Sequence, residues 1–358
     1  MTMNRTYTIK DIAACVGVST STVSRVLSNA PSAKVVTEST RRKIFDAVEE
    51  FGYVPNVNAR RLVQNKTNLI GIAIPADDDS SRTHSALLNR SLSETLGGLE
   101  SVLKLHDYRL LLLFNDAKFQ RQREYLRLFK ENSVDGMIIW GPRLNEPFWE
   151  ELCGYKAIEV NSMSSGNTAM SYAGHDNLNA AANITSALLN KGCRRILFIG
   201  GDPRISICRE RRQGYEQSLA RAGIAVEDQP HIDDSTNALN WLFEFEKLLC
   251  QPSLPFDAVQ CLNDRMALQC GKILLDRHYR IPQDVIITGG DRFPDEYGEL
   301  LDWKFPVISF EVDCFNLGRL VGHRLLEMLD SESPTVSFRE LLPVNLVDPL
   351  INYQKATL

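Results

Sequence analysis

Residues 8–27 read Thr8-Ile9-Lys10-Asp11-Ile12-Ala13-Ala14-Cys15-Val16-Gly17-Val18-Ser19-Thr20-Ser21-Thr22-Val23-Ser24-Arg25-Val26-Leu27. The pattern predicts two short helices joined by a tight turn. Thr8 is placed to cap the first helix, with Asp11 at its third position, a capping-box arrangement that also suits the positive helix N-terminus. Ile12, Ala13 and Val16 make an inward stripe, and Gly17 ends the helix because the turn wants positive φ. Val18 plugs the turn and Ser19 caps the second helix. There Val23, Val26 and Leu27 face the first helix, while Thr20, Ser21 and Arg25 face outward, with Thr22 and Ser24 on the flanks. A helix whose outer face is short and polar, with one arginine, suits the major groove of DNA. Such an arginine can bond a guanine's O6 and N7 together, worth roughly 1–3 kcal/mol of discrimination. The hydroxyls of Thr22 and Ser24 suit phosphate oxygens, which set register and carry little sequence information. An ordinary helical hairpin with a polar outer face would share the pattern, so the sequence that follows has to decide.

A third helix is predicted from Thr37 to about Phe51, carrying Arg41, Arg42 and Lys43, and ended by Gly52. After Tyr53-Val54-Pro55, Asn56 can cap a short helix running to about Gln64, too short to be stable alone in water. It would form only when DNA or a partner chain supports it. The order of the pieces T-I-K-D-I-A, G-V-S, T-V-S-R-V-L, T-R-R-K-I, G-Y-V-P-N and A-R-R-L resembles the LacI/GalR family of bacterial transcription repressors. The resemblance implies a recognition helix in the major groove and a paired hinge helix in the minor groove. Carried over by position, Thr20, Ser21 and Arg25 are the base readers. Leu62 is the wedge that opens a base step beside Ala59, paying for unstacking with a bent, fuller interface; a plain core leucine is the alternative. The DNA-contact set is thus Thr8, Ile9, Thr20, Ser21, Thr22, Ser24, Arg25, Tyr53, Asn56, Ala59 and Leu62. The loop over 28–36 is a few residues longer than the family's usual one.

The net charge of −5 argues against nucleic acid until it is divided. Residues 1–66 carry ten Lys/Arg against five Asp/Glu, and the remainder thirty against forty. A basic head on an acidic body concentrates the phosphate-binding charge and keeps the body off DNA. There is no leader-like segment and no apolar run long enough to span a membrane. The eight cysteines form no C-x-x-C pair and no metal-type spacing with the six histidines,. Reduced thiols in a cytoplasmic protein are expected, with no metal and no cofactor.

Beyond Lys66 short apolar runs alternate with helical patterns. Strands are expected at Leu69–Ile74, Leu110–Phe114, Gly136–Trp140, Ala157–Val160, Ile196–Ile199, Ala258–Leu262 and Val285–Thr288. Helices are expected over about 88–103, 120–132, 178–190, 209–222, 237–250 and 264–276. Alternating strand and helix implies doubly wound parallel sheets, and two such sets imply two lobes with a cleft. The expected fold is an all-α helix-turn-helix head and hinge helix, followed by a two-lobed α/β core. The boundaries are 1–54 for the head, 55–66 for the hinge and linker, and 67–358 for the core. The pieces D-G-M-I-I, R-R-I-L-F-I-G-G, R-E-R-R-Q-G-Y and N-D-R-M-A resemble the effector core of the same family, which is similar to periplasmic sugar-binding proteins.

Ligands of open α/β sheets sit beyond the carboxyl ends of the strands. The polar residues there that family position favours are Arg211 and Asp291, then Asn263, with Asp176 either a ligand contact or a cap. Carboxylates, an amide and a guanidinium can each bond neighbouring hydroxyls, as a sugar or sugar derivative requires. Asp264 is a further candidate there, read as the cap of its helix rather than a ligand contact, and His175 reads as a structural or ligand-contacting histidine. Two departures reshape the pocket: residues 76–85 lack the family's aromatic pair, and Gly289-Gly290-Asp291-Arg292 stands where the family has G-Y/F-D-D/N. Arg82 and Arg292 are surface residues, or else favour an acidic ligand. The glycine pairs 200–201 and 289–290 do not continue into a nucleotide loop.

The reading is a sequence-specific, DNA-binding transcription repressor, a homodimer on a near-palindromic operator, controlled by a small carbohydrate-like effector. The leucine stripe over 88–103 is either part of the dimer face or internal core. The competing readings are a two-lobed sugar-processing enzyme and a pure solute-binding protein. The first lacks an acid–base pair or phosphate loop, and the second does not explain the head.

Overall fold

The computed structural model describes residues 7–27, 35–54, 66–76, 89–144, 146, 151–165, 170–232, 240–292, 305–331 and 337–353. It divides into two compact units, Met1–Thr67 and Asn68–Leu358.

The first unit holds α1 (Ile9–Val16), α2 (Thr20–Leu27) and α3 (Glu38–Phe51). Thr8 N–H donates to Asp11 Oδ2 at 2.7 Å. Gly17 sits at φ 72° and returns its N–H to Ala13 O, so the first helix stops where the sequence predicts. Ser19 Oγ accepts from Thr22 N at 3.2 Å and starts the second,. Ile12, Ala13, Val23, Val26, Ile44 and Ala47 form the core that holds the three helices.

The second unit contains two sheets. The first is built from β1 (Leu69–Pro75), β2 (Arg109–Asn115), β3 (Gly136–Trp140), β4 (Ala157–Val160), β5 (Ser171–His175) and β11 (Arg339–Leu342). Its order is β11-β5-β4-β3-β1-β2, all parallel. The second has β6 (Ile196–Ile199), β7 (His231–Ile232), β8 (Ala258–Cys261), β9 (Ile286–Thr288), β10 (Val307–Glu311) and β12 (Asn345–Val347). Its order is β12-β10-β9-β8-β6-β7, with only the β10–β12 pair antiparallel. β3, β4, β6 and β8 are buried along their whole length, as strands covered by helices on both faces must be,.

Helices α4 (Arg90–Leu103) and α11 (Cys314–Asp330) pack against one face of the first sheet. Helices α5 (Ala117–Arg121) and α6 (Glu124–Lys130) cover the other. Arg123 at φ 48° breaks the single helix expected over 120–132 into these two. In the second lobe α7 (Asn177–Asn190) and α8 (Ser206–Arg221) lie on one face. The other carries α9 (Asn240–Leu248) and α10 (Asp264–Asp276). The leucine stripe resolves to internal core: Leu92, Leu99 and Leu103 are fully buried in the cluster that includes Leu317, Val321 and Leu325 of α11. The fit is close because Gly98 and Gly318 let the two backbones touch; a Cβ on Gly318 would lie 2.0 Å from Thr95 O.

The chain passes between lobes three times. It leaves the first lobe between β5 and α7, returns between β10 and α11, and crosses again between β11 and β12. These crossovers bring residues from three distant stretches to the junction.

Candidate functional site

In the head, Thr20, Ser21 and Arg25 are exposed on α2, and Thr22 and Ser24 half-buried beside them. Arg25 Nε donates to Ser21 O at 3.2 Å, so the side chain lies along its own helix. Thr8 is exposed at the head of α1. Ile9 and Tyr53 pack against the head's core, which leaves less of each for a partner. Asn56, Ala59 and Leu62, with the expected hinge helix, lie outside the described residues, as does Arg82.

In the body, Arg211 is the hub. Its position on α8 aims a buried guanidinium at the junction of the lobes. Nε donates to Asn177 Oδ1 at 2.9 Å, Nη1 to Leu262 O at 2.6 Å, and Nη2 to Asp291 Oδ1 at 2.5 Å. The Arg211 guanidinium also lies 4.7 Å from the centre of the Phe310 ring,. Asn177 sits in the first crossover, and its Nδ2 donates to His175 O at 3.1 Å. The buried His175 ring interacts with the backbone of Asp313, at the second crossover. Burial holds its imidazole below the ordinary value of 6.5 despite the neighbouring carboxylates,. His175 Nε2 and the indole Nε1 of Trp140, at the carboxyl ends of β5 and β3, are buried and have no hydrogen-bond partner among the described residues.

Arg211 and Asp291 are thus brought together, as family position implies. Asp176 is the N-cap of α7, accepting from Asn179 N at 3.1 Å and Asn179 Nδ2 at 2.6 Å. Asn263, not Asp264, caps α10, accepting from Met266 N at 3.0 Å. The chain turns back here through Gly290, whose carbonyl takes the Asp264 N–H, so the cap falls one residue earlier than the carboxylate suggested. Arg292 pairs with Glu311 at 3.5 Å, which matches the surface reading of that arginine. Asn177 escaped sequence reasoning because a helix-starting asparagine carries no signal for an arginine 34 residues on.

The lobes also touch near the start of α8. Ser206 N donates to Ser162 Oγ at 3.0 Å, Met163 N to Ser206 Oγ at 3.1 Å, and Leu144 N to Arg204 O at 2.6 Å. No three His, Cys, Asp or Glu side chains converge as a metal set among the described residues. No helix among them is long and apolar enough to cross a membrane.

Residues 8–56 match the family described as "Bacterial regulatory proteins, lacI family", and residues 185–348 match "Periplasmic binding protein-like domain". An "HTH-type transcriptional repressor PurR" of Vibrio vulnificus is 31% identical over 325 residues, spanning 90% of each chain. The chain belongs to the LacI family of bacterial regulatory proteins. This LacI-family regulator is also 28% identical to the "HTH-type transcriptional regulator RegA" of Clostridium saccharobutylicum, over 90% of its own length and 93% of that protein's. Its fold matches a Lac repressor dimer bound to operator and the anti-inducer ONPF at a TM-score of 0.78, with 21% identity over 96% of this chain and 98% of the other. The regulator is therefore a DNA-binding transcription factor with an effector-binding core. The enzyme reading gives way to it, because the relatives are transcription regulators.

Proposed function

We propose that the regulator is a cytoplasmic, homodimeric repressor whose operator affinity is set by an uncharged polyhydroxyl effector held between its two lobes. The observation that carries the effector half is the Arg211 hub. One guanidinium gathers a carboxylate, an amide and a main-chain carbonyl beside the first crossover. Such a set exchanges readily for the paired hydroxyls of a sugar. The unpartnered Trp140 Nε1 and His175 Nε2 support the same reading, since one offers a donor and the other, when neutral, an acceptor. A matching fold is that of a transcriptional regulator CelR solved with cellobiose, at 23% identity and a TM-score of 0.67.

For the dimer, β2 pairs only with β1 among the described residues and shows Leu112 to solvent, while Phe243 of α9 is 66% exposed. These fit an interface that buries one edge of each lobe. Two heads would then read two half-sites, with Thr8, Ile9, Thr20, Ser21, Thr22, Ser24, Arg25, Tyr53 and Asn56 at the groove and backbone. Ala59 and Leu62 would enter the minor groove. Asp176 and Asn263 remain in the proposed pocket as caps whose side chains can also face a ligand.

The test joins both halves. The full chain should bind duplex in a salt-sensitive manner. A thermal-shift screen of neutral sugars, with cellobiose among them, should raise the unfolding temperature for at least one. Arg211→Ala should bind DNA as before and ignore that sugar. A variant that still responds would remove Arg211 from the effector site.

A further inference from the structure

The turn of the head holds one hydroxyl with three partners. Ser19 Oγ accepts from Thr22 N at 3.2 Å. It also lies 2.8 Å from Ser21 Oγ and 2.9 Å from Thr22 Oγ1. A serine hydroxyl has one hydrogen to give and two lone pairs to fill. The Thr22 amide takes one lone pair. One of the two neighbouring hydroxyls must then donate into the other lone pair, and the remaining one must receive the Ser19 hydrogen. Ser21 and Thr22 therefore present opposite chemistry outward. The hydroxyl that donates to Ser19 has committed its hydrogen and offers a further partner only lone pairs. The hydroxyl that accepts from Ser19 keeps its own hydrogen to give. Ser21 is exposed on the outer face of α2, and Thr22 is half-buried on its flank. Arg25 Nε closes on Ser21 O at 3.2 Å, which keeps the guanidinium on that same outer face.

We propose that Ser19 is a positioning residue of the DNA-reading surface: it holds the Ser21 hydroxyl as an acceptor, so that Ser21 reads a base carrying an exocyclic amine, adenine or cytosine, on the strand it faces. This rests on the reading of Ser21 as a base contact and of Thr22 as a phosphate contact. Phosphate oxygens only accept, so the flank hydroxyl must keep its hydrogen. Thr22 is then the hydroxyl that receives the Ser19 hydrogen, and Ser21 the one that donates to Ser19. In the major groove the amine donors are N6 of adenine and N4 of cytosine. Guanine and thymine show no donor there. A lone pair of Ser21 satisfies an amine. Against guanine O6 or thymine O4 it meets another lone pair, and both groups are left without the water they had bound. Every base pair joins one amino base to one keto base, so Ser21 fixes which strand carries which. It does not separate adenine from cytosine. Arg25 supplies the complementary reading, since its donors suit the acceptor edge of guanine.

The experiment selects from a pool of randomised duplexes with the full chain at fixed salt. It reads the base frequencies at each position, and the affinity for the pool, for the wild type and for Ser21→Ala, Ser19→Gly, Ser19→Thr and Thr22→Val. In the wild type one position in each half-site should favour A or C over G or T on the same strand by about three- to tenfold, the effect of about one hydrogen bond. Ser21→Ala should erase that preference and leave the other positions as they were. Glycine and threonine start a helix about equally well, so Ser19→Gly and Ser19→Thr differ chiefly in the hydroxyl. Ser19→Gly frees the Ser21 hydrogen, and the preference should fall to near parity with Ser21 still in place. Ser19→Thr should keep the preference. A role for Ser19 in folding alone would weaken binding to every sequence and leave that one position unchanged. Thr22→Val should weaken binding to every duplex in the pool, because a phosphate loses its donor. A keto preference at that position, an amino preference that survives Ser21→Ala or Ser19→Gly, or undiminished binding by Thr22→Val would overturn the assignment. Those results would leave the repressor reading standing, since the pool is still bound. A wild type that holds no duplex even at low salt would remove the DNA reading, and this inference with it.

Discussion

Arg211 Nε donates to Asn177 Oδ1 at 2.9 Å, joining the second lobe's α8 to the first residue of α7, two positions beyond β5. The two residues are almost fully buried, and Asn177 passes the connection on to His175 O. The guanidinium that would meet an effector is thereby bonded directly to a crossover, with no intervening loop.

Asn177→Ala should therefore cost more than a surface substitution. It leaves a buried cationic donor without an acceptor, at about 1.5–3 kcal/mol. Thermal unfolding of the single and double variants with Arg211→Ala should show a non-additive pair. Strictly additive losses would mean that the bond contributes nothing.

Gly318→Ala should destabilise the first lobe by about 1–3 kcal/mol, because the new methyl would collide with the α4 backbone. The atoms it meets are Thr95 O at 2.0 Å and Leu99 N at 2.8 Å, neither of them the end of a flexible side chain. An unchanged melting temperature would show that the two helices separate at little cost.

His175→Gln should flatten the acid limb of the stability profile. The folded imidazole sits below 6.5, its ordinary value, so below that pH the unfolded chain binds a proton that the folded chain resists,. Stability from this group is complete above the unfolded value and is lost as pH falls through it. Asp264 has the opposite sign, since its folded value is raised from 3.8 to about 7. Stability linked to Asp264 falls as pH rises from about 4 to about 7. Each slope is read by comparing the wild type with its own variant across the window.

Arg25→Ala should relax preference at one base pair of each half-site, by roughly 1–3 kcal/mol, in competition binding at fixed salt. Its neighbours Thr20 and Ser21 are too short to take over that contact. A variant with wild-type specificity and merely weaker affinity would make Arg25 a phosphate contact instead.

The head was legible in advance because its signals are local: a cap, a left-handed glycine and a stripe at helical spacing all fall within a few residues. The strands of the buried sheets were legible for the same reason. β5 was not, since Ser171-Tyr172-Ala173-Gly174-His175 has no apolar run, and it is buried by what surrounds it. β10, α11, β11 and β12 also went unplaced, because their roles depend on crossing back between lobes. Of the pocket, Arg211 and Asp291 could be named from family position. Asn177 could not, because its role depends on a partner 34 positions away.

The first lobe's hydrophobic core draws on Ile70, Leu99 and Ile158, but equally on Leu317, Val321 and Leu325 of α11. Its outer strand β11 comes later still. A nascent chain that has emerged through β5 therefore holds an unfinished lobe, with one sheet face covered by α4 alone and one edge unpaired. That lobe must wait until nearly the whole second lobe has been made. Order of synthesis and order of completion are inverted, so the N-terminal half is the one exposed longest to aggregation and to chaperones.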